Sequence, residues 1–236
     1  MGAATWEQER RSVMAAALGV GLATGAYGIS FGAIAVTGGL SVLQTQVLSV
    51  LMFTGGSQFA LVGVLAGGGG PVSAIATSVL LGARNAFYGL RLAPVLQVRG
   101  PARLAAAQLT IDESTAMSFG RDERTFGGRS ARLAFWATGL SVFVCWNLAT
   151  AVGALAAAAI GDPRTFGLDA AIPAGFLALV WPRLRDRRAV TIAAAAGVVA
   201  LVLTPVLRPG VPVLVSSVVA VVAGVLAVRR RTAAAR

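Results

Sequence analysis

Polar residues that could do chemistry stand in three places inside otherwise apolar stretches of this chain. The first is Thr54-Gly55-Gly56-Ser57-Gln58-Phe59. Two glycines beside Ser and Gln resemble an unwound turn in a helix. Freed amides there could hold a carboxylate and freed carbonyls an ammonium, which together make a zwitterion site. The bland alternative is that Ser57 and Gln58 hydrogen-bond a neighbouring helix. The second place is Arg84-Asn85, followed by Tyr88 and Arg91. An Arg in mid-span costs at least about 2.5–3.5 kcal/mol to insert, so it needs a partner or a wet cavity. Asp112, Glu113 or an anionic substrate group could serve, and a purely structural ion pair is the competing reading. Arg91, nearer the end of its span, snorkels to the interface. The third place is Asp112-Glu113. A carboxylate in low dielectric favours its neutral form, so this pair could take up and release a proton and couple transport to a proton gradient. At the surface the same pair would be a solvated cap.

Composition says what surrounds these groups. The chain has 236 residues, 56% hydrophobic and 12% charged, with a mean hydropathy of +0.78. A soluble domain carries about 25% charged residues. The apolar residues come in blocks of roughly 20, the thickness of a bilayer in helical residues. The expected fold class is therefore all-α, a polytopic transmembrane helix bundle of about eight segments, some of them broken or re-entrant. The spans read as 13–36, 43–66, 72–95, 104–120, 133–160, 169–182, 189–207 and 211–228. The fourth contains the acidic pair and the sixth is short, so either could be a half-helix. Residues 1–12 read as a polar N-terminal tail, 13–228 as one transport domain and 229–236 as a basic tail. The run after the tail reads as a retained helix rather than a signal peptide.

Charge placement tests that order. All 20 basic residues are Arg, and the net charge is +11. They cluster in short loops between apolar spans, which is the cytoplasmic bias of membrane proteins and not a nucleic-acid surface. With the N-terminus inside, eight crossings put Arg121, Arg124, Arg129, Arg132, Arg183, Arg185, Arg187, Arg188, Arg229, Arg230, Arg231 and Arg236 inside too. Arg99 and Arg103 are the misfit, falling outside. Gly161-Asp162-Pro163 reads as a turn and Asp169 as a helix N-cap.

Within the first span, Gly21/Gly25 and Gly28/Gly32 are spaced four apart. Close helix packing is the leading reading, and a break at a substrate site the alternative. The Ala/Val-rich last two spans read as packing or lipid-facing helices. Cys145 has no partner for a disulfide and no metal-site neighbours. No cofactor is expected.

Taken in order, several runs resemble the AzlC family of branched-chain amino acid permeases. They are Tyr27-Gly-Ile-Ser-Phe-Gly-Ala-Ile-Ala35, Phe53-Thr-Gly-Gly-Ser-Gln-Phe59, Arg84-Asn-Ala-Phe-Tyr-Gly-Leu-Arg-Leu-Ala-Pro94 and Thr110-Ile-Asp-Glu113, then Ile172-Pro-Ala-Gly-Phe-Leu-Ala-Leu179. The resemblance implies the large subunit of a two-component exporter for valine, leucine, isoleucine or related amino acids, in a bacterial plasma membrane. It also implies a small partner membrane subunit of the AzlD type. In that family Asn often stands two residues before the Arg and His often follows it. Here Gly82 and Asn85 occupy those positions, which leaves a different amino acid open and makes Asp112-Glu113 the proton-carrier candidate.

The expected substrate site is thus Gly55, Gly56, Ser57, Gln58, Arg84, Asn85 and Tyr88. No Gly-x-x-x-x-Gly-Lys-Ser/Thr loop is present, which argues against direct ATP hydrolysis. An intramembrane enzyme is the weaker alternative. The chain has no His or Lys to act as a base, and Asp112 and Glu113 project about 100° apart on a helix rather than facing one another. A non-transporting assembly subunit is the other alternative.

Overall fold

Thr5 starts the first helix by a reciprocal cap. Its hydroxyl accepts from the Gln8 amide at 3.4 Å, and the Gln8 side chain accepts from the Thr5 amide at 2.9 Å. This capping box recruits Glu7 to Arg11 into α1 (Trp6–Thr37), so most of the expected polar tail is helical. The computed structural model describes residues 5–121, 125–160, 186–208 and 210–234, with positions 177, 181 and 184. The expected sixth span 169–182, the 161–163 turn, Asp169, most of the 172–179 run, and Arg124, Arg183, Arg185 and Arg236 fall outside the described positions.

After α1 come α2 (Val42–Leu51), α3 (Gly56–Ala66), α4 (Pro71–Leu96), α5 (Pro101–Gln108) and α6 (Asp112–Phe119). A short 3₁₀ turn, Thr125–Gly128, leads into α7 (Arg129–Ile160), then α8 (Arg187–Leu203) and α9 (Val211–Ala234). No strand occurs among the described residues. Of these, α1 and the Phe126–Ile160 stretch are long and apolar enough to cross a membrane individually. The all-α helical bundle is as expected. Pro71 and Pro101 open α4 and α5, where a missing N–H costs nothing.

The pair α1 and α7 is the scaffold. The helices run parallel, Gly21 facing Ser141, Gly25 facing Cys145, Gly28 facing Trp146 and Gly32 facing Thr150. A Cβ at Gly28 would stand 2.6 Å from the Trp146 carbonyl oxygen. Gly153 meets the Ile29 carbonyl in the same way from the other side. The glycines of the first span therefore serve close packing, and α1 is unbroken.

The second and fourth expected spans are not crossings. Each is two half-helices that turn back. The Arg-rich end of the bundle is marked by Trp6 against Phe126 at 5.4 Å and by Arg121 paired with Glu9 at 3.1 Å. At the opposite end, α1 finishes at Gly38, where an added Cβ would lie 3.2 Å from Ala66. Ala66 closes α3, so α2 and α3 enter and leave at that same far end. From there α4 runs back to the Arg-rich end, where the Val95 carbonyl meets Arg132 at 3.5 Å. Next α5 rises to the middle and α6 returns, bringing Phe119 under the Arg91 guanidinium at 4.9 Å.

Two returning segments preserve the sidedness of everything after them. They also move Arg99 and Arg103, which follow α4, to the Arg-rich end. The misfit of an eight-crossing count thereby disappears.

The first break, at Met52–Gly55, is held by Gln58. Its amide donates to the Leu48 and Ser49 carbonyls at 3.3 and 3.4 Å, and its oxygen accepts from the Gly55 amide at 3.1 Å. Gly55 itself has φ +60° and ψ −91°, a conformation that only glycine adopts readily. The second break, at Leu109–Ile111, is held by Ser114. Its hydroxyl donates to the Leu109 carbonyl at 2.6 Å and accepts from the Ile111 amide at 3.1 Å.

Two stability measurements check this construction. Gly153→Ala forces a methyl onto the Ile29 carbonyl and should cost roughly 1–3 kcal/mol by thermal unfolding in detergent, whereas Gly197→Ala, mid-helix with open space around it, should cost nothing and stabilise by up to about 1 kcal/mol. Gln58→Leu strips the first break of its hydrogen bonds and should cost about 1–3 kcal/mol in the same assay. Wild-type melting of Gln58→Leu would show that the break needs no splice.

Candidate functional site

The two breaks face each other across α4, and Arg84 stands between them. Its Nη2 lies 3.3 Å from Asp112 Oδ2, at the start of α6. The same nitrogen would lie 3.5 Å from a Cβ at Gly56, the first residue of α3. A Cβ at position 56 would be in ordinary van der Waals contact with the guanidinium, so Arg84 lies against the backbone at the start of α3. Two residues back along α4, a Cβ at Gly82 would lie 3.4 Å from Ser57 Oγ. The structure thus brings together Gly55, Gly56, Ser57, Arg84 and Asp112.

The electrostatics follow from the half-helices. The Gly56 and Ser57 amides precede the first intrahelical bond of α3, while those of Gln58 and Phe59 donate to the Gly55 carbonyl at 3.0 and 3.2 Å. Open amides and the positive end of the helix dipole favour an anion. Arg84 adds a full positive charge beside them. Asp112 offsets part of it from a position that the α6 dipole also favours. Arg84 and Asp112 are only partly covered, at 34% and 31% side-chain exposure, so the pair is reachable rather than sealed.

Four buried polar atoms in Thr54, Ser57, Arg84 and Asn85 make no hydrogen bond among the described residues. They are Thr54 Oγ1, Ser57 Oγ, Arg84 Nε and Asn85 Oδ1. Unpaired buried polar groups are costly and call for a partner such as water or a ligand. The Thr54 and Ser57 hydroxyls can donate or accept, Asn85 Oδ1 accepts and Arg84 Nε donates.

Other expected site residues have different surroundings. Gln58 is fully buried and its amide is spent on the break, so it shapes the site instead of lining it. Tyr88, one turn beyond Arg84, packs against the apolar core. Glu113 turns away from its neighbour, toward Thr24 of α1, as the angular offset of adjacent helical residues requires. Arg91 stacks on Phe119 near the Arg-rich end.

Sequence reading met Gly82 only as a departure from the family pattern, and it missed Thr24 and Gln108. The last of these donates from the end of α5 to the Val50 carbonyl at 2.7 Å. Its signal was faint: one amide side chain closing an Ala-rich run. No three His, Cys, Asp or Glu side chains gather as a metal site among the described residues.

Comparison with known proteins identifies the family. Residues 19–160 match the AzlC protein family, a stretch that contains both breaks, Arg84 and the acidic pair. A relative from Archaeoglobus fulgidus, described as an uncharacterized membrane protein, is 33% identical over 176 residues, covering 73% of this chain and 74% of its own length. No solved structure matches the chain. The family is of a transporter type, and the fold is an all-α bundle with helices of membrane-crossing length. This chain is a membrane protein of the AzlC family.

Proposed function

We propose that the chain is the transporting subunit of a secondary exporter for branched-chain or related amino acids. The observation that carries this reading is Arg84, held at 3.3 Å from Asp112 and beside the open start of α3. An amino acid brings a carboxylate to Arg84 and the α3 amides, and an ammonium to the unpaired oxygens of Ser57, Thr54 and Asn85. Discontinuous helices that aim their ends at a bound solute in mid-membrane are the usual architecture of such sites.

In this reading the Arg-rich end lies inside the cell, by the bias of basic loops, in a bacterial plasma membrane. Both termini lie there, and the chain crosses several times. Asp112 and Glu113 couple export to proton movement, Asp112 through its contact with Arg84 and Glu113 through Thr24. A small AzlD-type membrane subunit completes the exporter. The protein is a transporter and not an enzyme, so no bond is made or broken at the site.

Efflux of radiolabelled amino acids from proteoliposomes, with and without the small subunit, tests the assignment. Arg84→Ala should lower efflux by roughly 10–100-fold, the loss of a hydrogen bond to a charged group, while insertion stays normal. Undiminished efflux would remove Arg84 from the site. Asp112→Asn and Glu113→Gln should each change the pH dependence of efflux, and identical pH profiles in both variants would reject proton coupling by this pair.

A further inference from the structure

The two interrupted segments have the same design in opposite orientations. Each enters the bundle from one end, breaks in the middle and returns to the end it came from. In each, the first arm is thinly buried. Only Thr45 and Ser49 are buried in α2, and only Ala106 in α5. The returning arms are held better: α3 buries six of its residues, Ser57, Gln58, Phe59, Ala60, Val62 and Val64, and α6 buries Ser114, Thr115 and Ser118.

The breaks are also self-sufficient. The Gln58 hydrogen bonds stay within α2–α3 and those of Ser114 within α5–α6. An arm can therefore swing without breaking the splice that holds the other hairpin's break. Two polar contacts tie α2 to α7, Ser49 with Thr150 at 3.3 Å and Gln46 with Asn147 at 3.4 Å, and Leu48 packs against the core. Directly between the two thin arms, the structure shows the bond from Gln108 to the Val50 carbonyl, 2.7 Å long.

From this geometry we infer that α2 and α5 are a pair of opposed gates over the Arg84 site, latched tip to tip by Gln108. Displacing α2 opens the site toward the end where Gly38 and Gly210 lie. Displacing α5 opens it toward the Arg-rich end. Because the latch joins the two tips, the closed state blocks both routes. Parting the tips on either side exposes the site to that side alone, which is what alternating access requires. Thinly packed elements are the ones that open most easily. Gln108 is a positioning residue in this scheme and does not touch the solute. The inference rests on the transport reading above for its purpose, but its geometry can be tested without any amino acid.

The test uses the full chain in proteoliposomes with Cys145→Ala and a reporter cysteine, Gly82→Cys, beside Ser57. A membrane-impermeant thiol reagent measures how often the site is open. Adding Gln108→Ala should raise the labelling rate by about fivefold, the population shift expected from losing one hydrogen bond. An unchanged rate in a protein that melts normally would overturn the latch.

Should Gln108→Ala fail to fold, cysteines at 50 and 108 joined by a short bifunctional thiol reagent give the second measurement. Their cross-link should stop amino-acid efflux, and its reduction should restore it. Efflux that continues at the uncross-linked rate would overturn the gates while leaving the transport reading intact. Conversely, latch-dependent labelling in a chain that moves no amino acid would uphold the gates and reject that substrate.

Discussion

A helix interrupted in an apolar interior exposes backbone amides and carbonyls that lipid cannot satisfy, and everything distinctive in this protein depends on how those groups are met. At the first break a single buried side chain meets them. Gln58 donates to two carbonyls of α2 and accepts from the amide of Gly55. It leaves the first amides of α3 open. The Arg84 guanidinium comes up beside those amides, in contact distance of Gly56. Had the break been satisfied by the backbone alone, there would be no positive pocket for an anion and no reason for an arginine at that depth. Ser114 does the same at the second break, and there the first helical positions are filled by Asp112 and Glu113.

The breaks are tolerated because the rest of the bundle is rigid. Along α1 and α7, glycines let one backbone ride against the other, so packing replaces a hydrophobic driving force that lipid cannot supply. The aromatic cluster of Phe31, Phe59 and Trp146 ties that scaffold to α3, with ring centroids 5.4 to 6.2 Å apart. The returning arm of the first hairpin is thus anchored to α1 and α7 through Phe59, one residue past the splice at Gln58. The charges are sorted at the other end. Glu9 holds both Arg121 and Ser130, and Arg129 lies over Trp6 at 4.5 Å, so the start of α1 and the start of α7 are pinned together where the chain is most basic.

Class and membrane character were legible from the sequence because they depend on composition and run length, which no tertiary contact alters. So was the weak point at Thr54 to Gln58, since two adjacent glycines in a helix are a local property. The offset between Asp112 and Glu113 followed from helical geometry alone, and the structure sends one to Arg84 and the other to Thr24. The glycine ladder of α1 was legible as a packing surface, but its partner was not. Nothing in residues 21–32 specifies that α7 runs parallel to them.

What only the tertiary structure decided is direction. An apolar run of twenty residues with a break in it has the same composition whether it crosses or turns back, so 43–66 read as a span and 104–120 as either a span or a half-helix. Contacts distant in sequence settle the matter: Gly38 beside Ala66, and Glu9 beside Arg121. The same contacts explain why Arg99 and Arg103 resisted the charge rule, because sidedness is a running count and two returning segments change what lies between them. Gln108 and Gln58 show the limit most plainly. Both are single amides in apolar surroundings. Which one splices a break and which one bridges two hairpins depends on carbonyls that folding alone brings within reach.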